Sequence, residues 1–291
     1  MSIKSEWKRL ERRLQEWWAE LSRRVQAETR KAETKAEAAA EDAEGRAAPA
    51  GLPSPSLASC WEGSNAQTRH MNELSPHFTE GQVSDRLDWA VERGCNTVHW
   101  FLANQGDGEG AGYSPYGTGT PTPGKVDAGS VERMKRRIAM ARKKGLVVVL
   151  WLLADDSSKW NAVLLANPKA YAEDLKHCGL LDDAAAVVLG LEMNEYVKDR
   201  ATAQALADAV RGVYGGKIGT HHTSGEATFS GLGDLLFWQT GTGLDEAAIK
   251  RSVERAKQHG KPVVAFELAR NPQRKLAQAA LDAGAVGVGN W

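Results

Sequence analysis

The sequence predicts a (β/α)8 barrel, an α/β fold closed by eight parallel strands, preceded by one long N-terminal α-helix. Three observations lead there. From residue 56 onward, strand-like and helix-like segments alternate, as parallel strands joined by helical crossovers require. The strand-like segments number eight, and their near-even spacing favours a closed barrel over a doubly wound open sheet. Runs such as 187–191 (VVLGL) and 262–266 (PVVAF) have the unbroken apolarity of strands buried on both faces.

Taken in order, residues 1–45 read as a single helix. Apolar or small side chains recur at Trp7, Leu10, Leu14, Trp18, Leu21, Val25, Thr29, Ala32, Ala36, Ala39 and Ala43, a stripe of period about 3.6. At about 1.5 Å per residue such a helix reaches roughly 60 Å, longer than a barrel is tall. An oligomerisation or docking arm is therefore expected, with membrane binding disfavoured because Glu is mixed among the basic residues. Residues 46–55, rich in Pro and Gly, form a linker, and 56–291 is the barrel.

Within the barrel, strands are expected at 57–61, 97–102, 146–153, 186–193, 217–221, 234–238, 262–266 and 285–290. Helices are expected at 83–93, 130–144, 168–177, 201–214, 244–259 and 272–283, with a glycine-rich loop at 104–124. No helix follows the last strand, so part of 1–45 is expected to cover the gap between strands eight and one.

Lys plus Arg and Asp plus Glu each number 37, so no global field points to nucleic acid or to an acidic partner. Cys60, Cys95 and Cys178 form no CxxC pair, which argues against a zinc site or a disulfide framework. The start of the chain carries no apolar signal-peptide core, and no run approaches a membrane span, so synthesis in the cytoplasm is expected.

In a barrel of this kind the carboxyl ends of the strands and the following loops build the site. Those ends gather Trp61-Glu62, His99-Trp100, Trp151 to Asp155, Asn194-Glu195, His221-His222, Trp238-Gln239, Glu267 and Trp291. A carboxylate at the end of a buried strand is costly unless it is solvated, paired or at work. Two such strands aiming Glu195 and Glu267 into one cleft would have the geometry of glycosidic bond cleavage with retention. The alternative is two unrelated strand-end glutamates paired with nearby Arg or Lys. Indole faces stack on sugar rings, so Trp61, Trp238 and Trp291 are expected to line the cleft, with His99 and His222 beside them. Trp151 and Trp89 are assigned to the core. Glu192 is expected to support a cleft Arg or His, and Asp155-Asp156 either to bind hydroxyls or to cap a helix. The pair His221-His222 lacks a third ligand at suitable spacing, so no metal is expected.

Strand four ending in Asn-Glu, strand seven in Glu and strand eight in Trp resemble the clan A, cellulase-like retaining glycoside hydrolases, which are TIM barrels; the resemblance covers roughly 56–291. It implies Glu195 as acid/base, Asn194 as ligand of the sugar 2-hydroxyl, Glu267 as nucleophile and Trp291 as the floor of the sugar site. It also implies a polysaccharide or oligosaccharide substrate and no cofactor. The chain departs from the family at three places: His99 stands where Arg is usual, Tyr196 where Pro is usual, and strand six lacks a His and Tyr pair. Those departures keep open a catalytically silent carbohydrate-binding or structural barrel, for example a phage particle component carrying its helical arm.

Overall fold

In the computed structural model the described residues are 51–53, 56–59, 72–106, 112–223, 225–241, 243–268 and 274–290. All of them belong to one unit, 47–291. The expected N-terminal helix, Trp61 and Trp291 lie outside the described residues.

Eight parallel strands close in sequential order: β1 (Ser56–Ser59), β2 (Thr97–Phe101), β3 (Val147–Trp151), β4 (Ala184–Val188), β5 (Lys217–His222), β6 (Leu235–Gln239), β7 (Val263–Phe266) and β8 (Gly287–Asn290). Closure is made by β1 against β8, from Ser56 opposite Gly287 to Ser59 opposite Asn290. The helices are α1 (Glu80–Glu92), α2 (Ala128–Lys143), α3 (Ser158–Ala166), α4 (Pro168–His177), α5 (Met193–Tyr196), α6 (Arg200–Val213), α7 (Glu246–Lys257) and α8 (Arg274–Asp282). None of the described helices is long and apolar enough to cross a membrane.

Local chemistry sets where the crossovers start. Thr79 and Gln82 form a reciprocal capping box on α1, at 2.9 and 3.2 Å. Asp127, Asp199 and Asp245 each accept an amide of the first turn of α2, α6 and α7. Each cap satisfies a backbone donor that the helix itself cannot. At the far ends of α1 and α2, Gly94 (φ 79°) and Gly145 (φ 81°) take the left-handed turn that leads into the next strand.

Two helices, α3 and α4, follow β3 where one was expected. The segment 160–166 (WNAVLLA) is apolar on most sides and carries no stripe to mark it as helical, and Pro168 opens a second helix after it.

Inward-facing side chains fill the barrel beneath its mouth. Trp151, His99, Phe237 and Phe266 pack with ring centroids 4.9 Å (Trp151–Phe266), 5.2 Å (His99–Phe266) and 5.3 Å (Trp151–Phe237) apart. Two glycines make room for them. A Cβ on Gly219 would sit 2.6 Å from the Phe237 ring, and one on Gly289 2.5 Å from Phe266. Large residues on some strands thus interleave with absent side chains on others, the layered filling of a closed barrel.

Candidate active site

Two glutamates stand at the carboxyl ends of the strands in backbone conformations that side chains avoid. Glu192, in the turn after β4, has φ 46°, and Glu267, directly after β7, has φ 52°. Among the described residues they are the sole non-glycine residues with positive φ. Such strain persists where the surroundings over-determine it, and it concentrates at functional sites.

Between them lies the side chain of Gln239, the last residue of β6. Its Nε2 donates to Glu192 Oε1 at 2.6 Å and to Glu267 Oε2 at 2.6 Å. The two carboxyl oxygens are therefore at most twice that distance apart. Glu267 is buried and Glu192 half-buried. From β5, His221 Nδ1 accepts the Glu192 backbone N–H at 3.0 Å. Since Nδ1 is the acceptor, the ring proton resides on Nε2. Burial, then the neighbouring His222, pushes the His221 pKa well below the ordinary histidine value, so the ring is neutral.

Burial also pushes the Glu192 carboxyl up to about 7, with the charges of Asp155 and Glu195 adding to the rise and the Gln239 hydrogen bond opposing it. Tyr196 lies against Gly190, where a Cβ would meet its hydroxyl at 2.2 Å. Burial and the same three carboxylates, Asp155, Glu192 and Glu195, raise its pKa.

The sequence-predicted residues are distributed differently from expectation. Strand four was expected to run to Met193, which would put Asn194-Glu195 at the strand end. Instead β4 ends at Val188 and the extended chain turns at Glu192, leaving Asn194 and Glu195 on the four-residue α5. Glu195 is exposed. The Asn194 amide is engaged with the loop after β5: its Oδ1 accepts Thr223 N–H at 2.9 Å, and its Nδ2 donates to Thr223 Oγ1 and to Glu226 Oε2 at 3.0 Å.

Three expected cleft residues are corrected. His99 is 2% exposed inside the barrel, where its Nδ1 accepts the Trp151 indole N–H at 2.9 Å; burial lowers its pKa to about 3. Trp238 points outward, donating from Nε1 to Ser252 Oγ of α7 at 2.9 Å. His222 also points outward: its Nε2 accepts the Phe229 N–H at 2.9 Å, and its pKa falls to about 4, chiefly by burial. The physical reason is the two-residue period of a strand. Phe237 and Gln239 face the barrel axis, so Trp238 cannot, and His221 faces it, so His222 cannot.

Sequence reasoning assigned Gln239 no role and placed Glu192 in support. The available signal was parity: Gln239 is two residues from the inward Phe237. No group of three or more His, Cys, Asp or Glu that could hold a metal ion occurs among the described residues.

Solved structures of glycoside hydrolases share this fold. An exo-β-1,4-mannosidase from Opitutaceae bacterium strain TAV5 is 17% identical with a TM-score of 0.60, the match covering 82% of this chain and 52% of that one. A glycoside hydrolase of family 5 from Bacteroides vulgatus ATCC 8482 is 17% identical (TM-score 0.52, 73% and 55% covered). The family 113 β-mannanase from Alicyclobacillus acidocaldarius is 16% identical (TM-score 0.52, 83% and 87% covered). The chain thus spans about half the length of the first two. No protein-family model matches the sequence, and no curated protein does.

Proposed function

We propose that the barrel is a glycosidase that cleaves a β-linked polysaccharide or oligosaccharide with retention of anomeric configuration, using two glutamates and no cofactor. The observation that supports this is the single Gln239 amide shared by Glu192 and Glu267. It keeps an oxygen of one carboxyl group within twice 2.6 Å of an oxygen of the other, close enough for the paired carboxyl groups that retaining chemistry uses.

In this reading Glu267 is the nucleophile. Its carboxylate bonds to the anomeric carbon as the glycosidic C–O bond breaks, and the departing oxygen takes a proton from a glutamate of the turn after β4. The glycosyl-enzyme is then opened by water, whose proton returns to that same glutamate as Glu267 leaves. Two carboxyl groups so close cannot both ionise freely, and the buried environment decides which keeps its proton. An exo-β-1,4-mannosidase and β-1,4-mannanases are among the proteins that share the fold, so a β-1,4-linked mannan is the first substrate to try.

The test is a panel of β-glycans and aryl β-glycosides, with the anomer of the first-formed product read by proton NMR. Retained product is expected. Azide should restore turnover to Glu267→Ala and give a glycosyl azide of inverted configuration. Binding of glycans without any turnover would instead identify a carbohydrate-binding barrel, and an inverted first product would exclude double displacement.

A further inference from the structure

We infer that Glu192, and not Glu195, is the proton donor and acceptor of the reaction, seated for that role by His221. The inference rests on the glycosidase reading above and names the second carboxylate of that site.

Glu192 and Glu267 touch the same nitrogen of Gln239, whereas Glu195 projects from α5 as an exposed residue. The backbone of Glu195 is committed to the turn: its N–H donates to Glu192 O at 2.9 Å, and its carbonyl accepts from Lys198 Nζ. Asn194 beside it is tied through both ends of its amide to Thr223 and Glu226. The Asn-Glu dipeptide therefore belongs to the rim shared with the β5 loop.

A left-handed conformation is unfavourable for a residue with a side chain, and at Glu192 a hydrogen bond accompanies it. His221, wholly buried and neutral, offers its Nδ1 lone pair to the Glu192 N–H at 3.0 Å. A protonated imidazole could not accept that bond, so the desolvation that keeps His221 neutral also keeps Glu192 in place. His221 does not reach the reacting atoms in this arrangement; it is a positioning residue.

The groups facing the Glu192 carboxyl suit a proton donor. They are Asp155 in the loop after β3, Glu195 on α5, Gln239 on β6 and Glu267 after β7. Burial raises the proton affinity of Glu192 most, the charges of Asp155 and Glu195 add to it, and the Gln239 amide lowers it. The result, about 7, lies near the operating pH favoured for general acid–base catalysis.

The experiment compares Glu192→Gln, Glu192→Asp, Glu195→Gln and His221→Phe in the full chain, with folding checked by thermal melting. Substrates are a dinitrophenyl glycoside, whose leaving group needs no proton, and an alkyl glycoside or glycan, whose leaving group does. Glu192→Gln is expected to lose about 10³-fold on the second substrate and far less on the first. It should also lose the alkaline limb of the pH profile and, with azide, give a glycosyl azide of retained configuration. Glu192→Asp should keep an alkaline limb at reduced rate. Glu195→Gln should stay within about threefold of wild type and move the limb to lower pH. His221→Phe should show the Glu192→Gln leaving-group signature in weaker form. If Glu195→Gln carries that signature and Glu192→Gln does not, the assignment is overturned while the glycosidase reading stands. A wild-type protein inactive on every glycoside sinks both.

Discussion

Trp151 donates its indole N–H to His99 Nδ1 at 2.9 Å in the middle of the barrel, and both side chains are almost wholly enclosed. A polar pair thus sits in the apolar layer that carries the site. Trp151→Phe removes the donor and leaves His99 with an unmet acceptor as well as a gap where the indole was. The expected loss is about 2–4 kcal/mol of unfolding free energy, read by urea denaturation. A loss below about 0.5 kcal/mol would show that the pair contributes nothing to the core.

The raised proton affinity of Glu192 makes stability depend on pH with a definite sign. Its folded pKa, about 7, lies above the ordinary carboxyl value of 4.5. Between those values the folded chain keeps a proton that the unfolded chain has released, so stability falls as pH rises through this window and is level above it. Glu192→Gln should therefore raise the melting temperature at pH 8 relative to wild type, and should give no such gain at pH 4. Equal shifts at the two pH values would contradict the assignment of the raised pKa to Glu192.

Gln239 is the sole hydrogen-bond donor seen to reach both Glu192 and Glu267 among the described residues. Gln239→Ala removes the opposing influence on Glu192, so the alkaline limb of the pH–rate profile should move upward. It also frees Glu267 from one of its anchors, and kcat should fall about 10²-fold, the scale of a lost preorganised donor. Steady-state kinetics across pH 5–9 decide it. An unmoved limb with an unchanged kcat would mean that the shared amide is incidental.

How much of this could be read without coordinates follows from what the residues encode. Eight apolar runs, the Asp residues before helices and the glycines after them announce an α/β barrel, because each is a local signal. Which face a side chain takes is not local. A strand buried on both sides has no alternation to read, so Trp238 and His222 were expected in the cleft although their odd-numbered neighbours hold it. The turn at Glu192 is hidden for a different reason. A left-handed glutamate has no compositional mark, and it exists because His221, 29 residues later, holds its amide. The Asn-Glu dipeptide that carries the family resemblance lies just beyond that turn, on α5.

The last expectation concerns the frame of the mouth. Arg137 on α2 is 2% exposed, and its guanidinium gathers the carbonyls of Glu73, Ser75 and Phe78 together with the Glu80 carboxylate. Burial lowers its pKa, with Glu80 opposing, yet an arginine remains charged. The clamped segment begins beside Asn72, whose Oδ1 accepts Asn104 Nδ2 at 3.2 Å and the Tyr113 hydroxyl at 3.3 Å, so the loop after β2 hangs from it. Arg137→Met leaves three carbonyls and a carboxylate without their donor and should cost about 3–5 kcal/mol. Arg137→Lys recovers only part, because an ammonium cannot serve four acceptors in the plane of a fork. Hydrogen exchange should speed up first at 73–79 and then at 104–117, and KM should rise more than kcat falls. If exchange rises uniformly over the barrel instead, Arg137 supports the whole fold and not this one edge of the mouth.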